Sequence, residues 1–422
     1  MGLIPFSLAF VNAFGVNGKP NGPDLVLLFT NNTDGYLQSC GCTARQVGGI
    51  AKRATVLNRL KSEQAQNGVP TVLLDGGNLS KNLARTSVLL ESMHRIGYDS
   101  VALSPAEDNL GVPFLRRAAE LKIPLIGTPV AGSANFPETT VRPFRFLMAG
   151  RWKVGVLHLG DGPVAPEDWK RFAVTVRKQS DVSIVFSMLT VGETVRRLAA
   201  LPERDRPSVA LLCNSASTSD ALPDLKGTTI LPSPPKGEIG KIEADRVHGT
   251  NGKQWRFVLR GERVEDTVAD DPVIAGIVSA YFTEEANALR SRSVTLSDDW
   301  QDLGHETAVR CGECHARALN QWALSKHSRA IRTLADKKRL IPECLTCHSE
   351  VFRRKGAFIS SANTEEGVTC ATCHGDGIVH TASRSKASIL RNPGEADCRR
   401  CHDPANDPHF NYAIYREKIR HW

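Results

Sequence analysis

Seven short apolar runs punctuate the first half of the chain: DLVLLFT (24–30), TVLLDGG (71–77), SVALS (100–104), PLIGT (124–128), KVGVLHLG (153–160), VSIVFSM (182–188) and VALLCN (209–214). Each is rich in Val, Leu and Ile, which predicts buried strands. Helical stretches such as GGIAKRATVLNRLKSEQ (48–64) and TSVLLESMHRIG (86–97) lie between several of them. GEIGKIEADR (237–246) and KQWRFVLRGERVED (253–266) read as edge strands of a second sheet. The pattern predicts an α/β sandwich with mixed sheets over residues 23–268. DDPVIAGIVSAYFTEEANALRSRSV (270–294) then reads as one amphipathic helix, started by Asp270, Asp271 and Pro272. With SDDWQDLGHETAVR (297–310) it makes a helix and linker over 269–310, before a separate region at 311–422.

A chain of 422 residues suits two or three domains. With 41% hydrophobic and 23% charged residues, long disorder and a membrane bundle are excluded. No apolar run reaches the ~18 residues that span a bilayer. The net charge of +8 is concentrated: residues 311–422 hold 18 Lys and Arg against 12 Asp and Glu. No nucleic-acid-binding motif accompanies this excess, and at 6% aromatic residues the chain has few stacking platforms, so nucleic acid is not an expected partner.

Cysteine and histidine sharpen the division. Eight of 11 cysteines and eight of 12 histidines fall in residues 311–422. The cysteines form four Cys-x-x-Cys pairs, each followed by histidine: CGECH (Cys311, Cys314, His315), CLTCH (Cys344, Cys347, His348), CATCH (Cys370, Cys373, His374) and CRRCH (Cys398, Cys401, His402). On a helical turn, positions i, i+3 and i+4 share a face. Two thiols so placed form thioethers with the two vinyl groups of one haem, and the imidazole reaches the iron. The spacing argues against a disulfide-rich module. Two Cys₄ zinc sites are the rival for these thiols, but zinc has no need of a histidine after every pair. The expected cofactor is four covalent haem c.

Four histidines remain in this region, His327, His380, His409 and His421, the number needed to give each iron a second imidazole. A bis-imidazole iron mostly carries electrons, whereas an open one binds small molecules. At about 28 residues per haem the macrocycles must themselves form the core, giving a mostly α, haem-packed region. Two propionates per haem bring about eight negative charges, which the local Lys/Arg excess offsets.

The C-terminal region resembles the tetrahaem cytochrome c-554-type family. CGECHARALNQWALSKHSRAIRTL is similar to its opening unit, a haem helix followed by Trp322 and a distal Ser-x-His-x-x-Ala, here with Lys326 inside it and His327 as ligand. GVTCATCHGDGIVH is similar to its third unit, with His380 as ligand, and FNYAIYREKIRH to its closing helix, with His421. The resemblance covers roughly residues 300–422. His409, in DPHF, is the weakest match, and His305 is the reserve.

The N-terminal region resembles the calcineurin-like metallophosphatases of the 5′-nucleotidase branch. TNNTDG sits at the family's Thr-Asn-Asp-x-His-Gly, LLDGGN (73–78) at its Gly-Gly-Asp, IGYDSVALSPAEDNLG (96–111) at its Gly-Tyr-Asp…Gly-Asn-His-Glu, FSMLT (186–190) at its Ser-His-Leu-Gly and LLCNSAS (211–217) at its Gly-His-x-His. Carried over position by position, the metal ligands become Asn32, Asp34, Asn78, Pro105, Ala106, Met188, Asn214 and Ala216. Proline and alanine have no donor, and amides lack the charge that a dimetal site needs. The scaffold is expected without phosphatase chemistry. Cys40, Cys42 and Cys213 fall on the edge that the metals occupy in that family, either as one disulfide and a spare thiol or as a three-thiol metal or redox site.

Haem attachment to Cys-x-x-Cys-His takes place outside the cytoplasm, so a periplasmic or extracellular protein is expected. Residues 3–13, LIPFSLAFVNA, are similar to the apolar part of a signal peptide within a leader-like segment 1–22, with Ala13 for cleavage, although no Lys or Arg precedes it. The expected function is electron transfer, with redox proteins or another copy of the chain as partner and the N-terminal region as a docking or assembly surface. Two alternatives stand beside it: chemistry on a small nitrogen or sulfur species at one open iron, and a subunit of an extracellular haem chain.

Overall fold

The computed structural model describes residues 22–38, 47–127, 141–160, 164–214, 222–249, 252–293, 304–337, 339–356, 358, 367–404 and 406–421. The leader-like segment up to residue 21, Cys40, Cys42, Ala216 and most of the expected linker after Ser293 lie outside them. The chain divides into two units, one made mainly of residues up to Val278 and the other mainly of Ser279–Trp422.

In the first unit, strands and helices run in the order β1 (Leu25–Thr30), α1 (Ile50–Gln66), β2 (Thr71–Asp75), α2 (Leu83–Ile96), β3 (Ser100–Ala102), α3 (Pro105–Asp108), α4 (Gly111–Glu120), β4 (Leu125–Ile126), β5 (Val141–Arg142), β6 (Phe144–Ala149) and β7 (Trp152–Leu159). There follow α5 (Pro166–Gln179), β8 (Val182–Ser187), α6 (Val191–Ala199), β9 (Val209–Leu212), β10 (Thr229–Pro232), β11 (Glu238–Gly249) and β12 (Gly252–Arg263). Helix α7 (Pro272–Ser293) contains the division between the units.

Two mixed sheets result, ordered β12-β11-β1-β2-β3-β4-β5 and β10-β9-β8-β7-β6. The sequence places β11 and β12 on a second sheet; the structure corrects this. β11 pairs antiparallel with β1, Leu27 opposite Ile242, so the hairpin extends the first sheet. Its polar alternation identifies an edge but not which one, because that depends on a partner some 200 residues away in the chain.

Side chains alternate across each strand. Leu25, Leu27 and Phe29 of β1 meet Val154 and Val156 of β7 and Ile184 and Phe186 of β8 in the core between the sheets. Leu157, Leu159 and Val185 point the other way, onto Trp169, Ala173 and Val176 of α5 and Leu198 of α6. Both faces of these strands are therefore buried, which is why they are apolar without interruption.

The second unit adds α8 (Ala308–Gly312), α9 (Ala316–Ala323), α10 (Ala330–Asp336), α11 (Pro342–His348), α12 (Glu350–Lys355), α13 (Cys370–His374), α14 (Ile378–Ser383), α15 (Glu395–Arg399) and α16 (Tyr412–Ile419). It is helical throughout the described residues apart from turns. Its apolar cluster is small: Leu289, Ile331, Leu334, Leu340, Leu345 and Phe358. Helices α9, α14, α15 and α16 bury no residue within the chain. No described helix is long and apolar enough to cross a membrane.

Candidate haem-binding unit and the β1–β2 loop site

Each Cys-x-x-Cys-His lies on one helical turn. The His315 amide donates to the Cys311 carbonyl at 3.0 Å and the His402 amide to the Cys398 carbonyl at 2.9 Å, while α11 and α13 contain the other two motifs. Local sequence starts these turns. Thr307 caps α8, Pro342 occupies the first turn of α11, and at the start of α13 the Thr369 amide donates to the Thr372 hydroxyl at 3.0 Å. The indole of Trp322 donates to the Val368 carbonyl at 2.8 Å, tying α9 to the segment that leads into α13.

Tertiary structure brings six histidines together in three pairs. His315 faces His380 with ring centroids 6.3 Å apart and planes at 22°. His327 faces His402 at 6.3 Å and 56°, and His374 faces His421 at 5.7 Å and 79°. A metal held between two imidazoles, at ~2.0 Å from each nitrogen and about 1.1 Å more to each ring centre, separates the centroids by about 6.2 Å. None of these pairs joins a motif to the first histidine after it in the sequence; the chain crosses between motifs.

Nδ1 of most of these rings is already engaged. It lies 2.9 Å from the Ala330 carbonyl in His348, 2.6 Å from that of Leu390 in His374, 2.9 Å from that of Ser385 in His380 and 2.9 Å from that of Ile419 in His421. In His402 the partner is the Asp407 carboxylate, at 2.8 Å. An Nδ1–H donated in this way leaves Nε2 unprotonated as the ligating atom. Burial lowers the pKa of His327, reinforced by His402 and His348. Burial likewise lowers that of His374, with His421 and His315 adding to the effect. Both rings are thereby held neutral, the form that binds a metal. The apolar side chains of Leu324, Ile378, Val379, Leu390 and Ile414 are 79%, 48%, 60%, 44% and 56% exposed within the chain, offering surface for an apolar macrocycle. The donor set fits haem c.

His348 has no ring partner of this kind among the described residues. His409 is exposed. His305 is buried, with Nδ1 2.9 Å from the Glu306 carbonyl and Nε2 without a partner. Apart from the Cys-x-x-Cys-His motifs themselves, the ring pairing had no signal in the sequence.

In the first unit the loops after β1 and β2 are laced together. The Asn32 amide donates to the Gly77 carbonyl at 3.1 Å and that of Asp34 to the Asn78 carbonyl at 2.9 Å. Asn32, Asp34 and Asn78 adopt φ of 53°, 48° and 56°, a left-handed conformation that Asn and Asp tolerate best among residues with a side chain. The Asn78 side-chain N–H donates to Asn32 Oδ1 at 2.9 Å, and Asn32 Nδ2 lies 3.5 Å from the Cys213 carbonyl. Asp34 lies 3.9 Å from Lys236, a cation that sequence reading missed because it comes from the turn before β11. Met188 is buried in the core between the sheets. Pro105 and Ala106 begin α3, and Asn214 is exposed. Glu107 is buried and accepts amides of Asn78 (3.2 Å) and Ser104 (2.9 Å), holding the loop. Among the described residues no group of three His, Cys, Asp or Glu could hold a metal ion. Cys213 is a buried free thiol whose pKa burial pushes up, and its carbonyl accepts from Asn31 at 2.8 Å.

Fold and site together give an α/β sandwich of two mixed sheets and a helical unit that carries four Cys-x-x-Cys-His turns. Residues 310–375 match the family "Cytochrome c554 and c-prime", which implies covalently bound haem c. Among solved structures, the sulfate thiohydrolase SoxB of Thermus thermophilus, in complex with glycerol, aligns with TM-score 0.50 and 10% identity over 64% of this chain and 62% of that one. A 5′-nucleotidase precursor of Thermus thermophilus gives 0.47 and 17% over 63% and 59%, and the 5′-nucleotidase of Candida albicans gives 0.48 and 11% over 62% and 59%. The chain thus spans about three-fifths of the length of these structures, and the likeness is one of fold. No curated protein matches the chain.

Proposed function

We propose that this protein is an exported tetrahaem c-type cytochrome that carries electrons, and that its phosphatase-like unit is catalytically silent and serves docking or assembly. The observation that carries the reading is the set of three imidazole pairs at metal-bridging separation beside Cys-x-x-Cys turns. Haem, when bound, supplies one-electron chemistry. The chain's part is to attach it through Cys311 and Cys314, Cys344 and Cys347, Cys370 and Cys373, and Cys398 and Cys401. His315 with His380, His327 with His402, and His374 with His421 would each hold one iron between two imidazoles, an arrangement that favours electron transfer over ligand binding. The partner is a redox protein or a second copy of the chain.

The fourth iron, on His348, supports a second reading. His409 is the sequence's fourth candidate for a second ligand, with no particular iron assigned to it; His305, buried with an unpartnered Nε2, is the better placed by burial. An iron that neither reaches is open to a small nitrogen or sulfur species. Intact mass after acid–acetone extraction is expected to show four added haems, and three in Cys344→Ala/Cys347→Ala. A gain of none or two in the unmodified protein refutes the cytochrome reading. The EPR spectrum of the oxidised protein separates the two functions: four low-spin irons mean electron transfer alone, and one high-spin iron means an open site.

A further inference from the structure

One axial imidazole differs from the rest in what it donates to. The Nδ1 contacts of His348, His374, His380 and His421 all go to backbone carbonyls. His402 alone among the haem histidines with a described Nδ1 contact faces a carboxylate, Asp407 Oδ2 at 2.8 Å. Asp407 is buried to 9% exposure. The loop after CRRCH builds this contact: the Asp407 amide donates to the Asp403 carbonyl at 2.7 Å and the Phe410 amide to the Asp407 carbonyl at 3.0 Å. The ring of Phe410 stacks on His402 at 5.0 Å and 17°, and that of Tyr415 meets it edge-on at 5.5 Å. Aromatic cover on the ring and burial of the carboxylate weaken the screening of its charge by water.

We infer that Asp407 is a positioning residue that sets the haem held by His327 and His402 to a lower reduction potential than a backbone acceptor would give. The inference rests on the haem reading above. A carboxylate accepting from Nδ1–H makes the imidazole a stronger electron donor through Nε2, which stabilises the ferric over the ferrous state. One-electron reduction removes one positive charge from the iron, and the Nδ1 proton stays on His402 in both states. The part of the favourable interaction with the anionic carboxylate that comes from that one charge is therefore lost on reduction.

The test is a redox titration of the purified holoprotein and its variants, followed by optical and EPR spectra, with haem counted by mass in each. The ring angle of 56° lies between the 22° and 79° of the other pairs and gives this iron its own low-spin EPR signal. Asp407→Asn is expected to favour reduction of that one iron by about tenfold, or about 59 mV for one electron, with the other midpoints unmoved. Asp407→Glu restores the original value. Asp407→Ser, which also removes the carboxylate, shifts the same iron in the same direction and keeps the test open if Asp407→Asn fails to fold. Unchanged midpoints with four haems present overturn the inference, as does a shift of that iron to lower potential in either of these variants. Absence of covalent haem overturns the haem reading itself, and the inference with it.

Discussion

His158 is the sharpest probe of the first unit. It lies near the end of β7 at 4% exposure; Nε2 is 2.8 Å from the Leu103 carbonyl, and Nδ1 is buried without a partner. The ring is boxed in, since a Cβ on Gly160 would come within 2.6 Å of its Cε1. Protonation would place a charge on Nδ1 with nothing to accept it, and burial lowers the pKa from 6.5 to about 4, opposed only by the bond to Leu103. The sign follows from linkage: a histidine depressed on folding takes up its proton more readily when unfolded, so its contribution to stability is present above about pH 6.5 and is lost as pH falls towards 4. At ~1.4 kcal/mol per pKa unit the loss is about 3 kcal/mol. Asp75 opposes it. Burial raises that carboxyl from 3.8 to about 6, despite the Thr30 hydroxyl bonded to it, so its contribution is present below about pH 4 and is lost as pH rises through 6. The two slopes mask each other in the native protein. His158→Gln keeps a donor for Leu103 and removes the titration. Urea unfolding of both proteins from pH 4 to 6.5, followed by far-ultraviolet circular dichroism, is expected to show the native protein gaining about 3 kcal/mol relative to the variant as pH rises. Parallel pH profiles for the two would refute the assignment of a buried, proton-excluding ring.

Two further outcomes are expected. Added Mn²⁺ or Zn²⁺ should produce no hydrolysis of nucleotides or nitrophenyl phosphate, because Asn32 and Asn78 bond each other and Asp34 faces Lys236; metal-dependent turnover above background would show the positional carry-over to be wrong. Gly240→Ala should lower the urea stability of the first unit by about 1–3 kcal/mol, since its Cβ would lie 2.2 Å from the buried Phe29 ring; an unchanged midpoint would mean that β1 and β11 can separate without cost.

The sequence by itself determined the chemistry that depends on neighbours along the chain. Four Cys-x-x-Cys-His turns are local objects, complete within five residues, and so are the uncharged residue types at Asn32, Asn78, Pro105 and Ala106 and the apolar runs that become β1, β2, β7, β8 and β9. Tertiary structure alone decided what depends on approach across the chain. It sent the β11–β12 hairpin to β1, and it set Lys236 beside Asp34. It chose which imidazole faces which, pairing His315 with His380 and His327 with His402. It also left His409 exposed and His305 buried, and it set a carboxylate behind His402. The physical reason is one of range. Residue type and short spacing fix what a side chain can bind and which local turn presents it, whereas separation, burial and charge between distant residues exist only once the packed chain has brought them together.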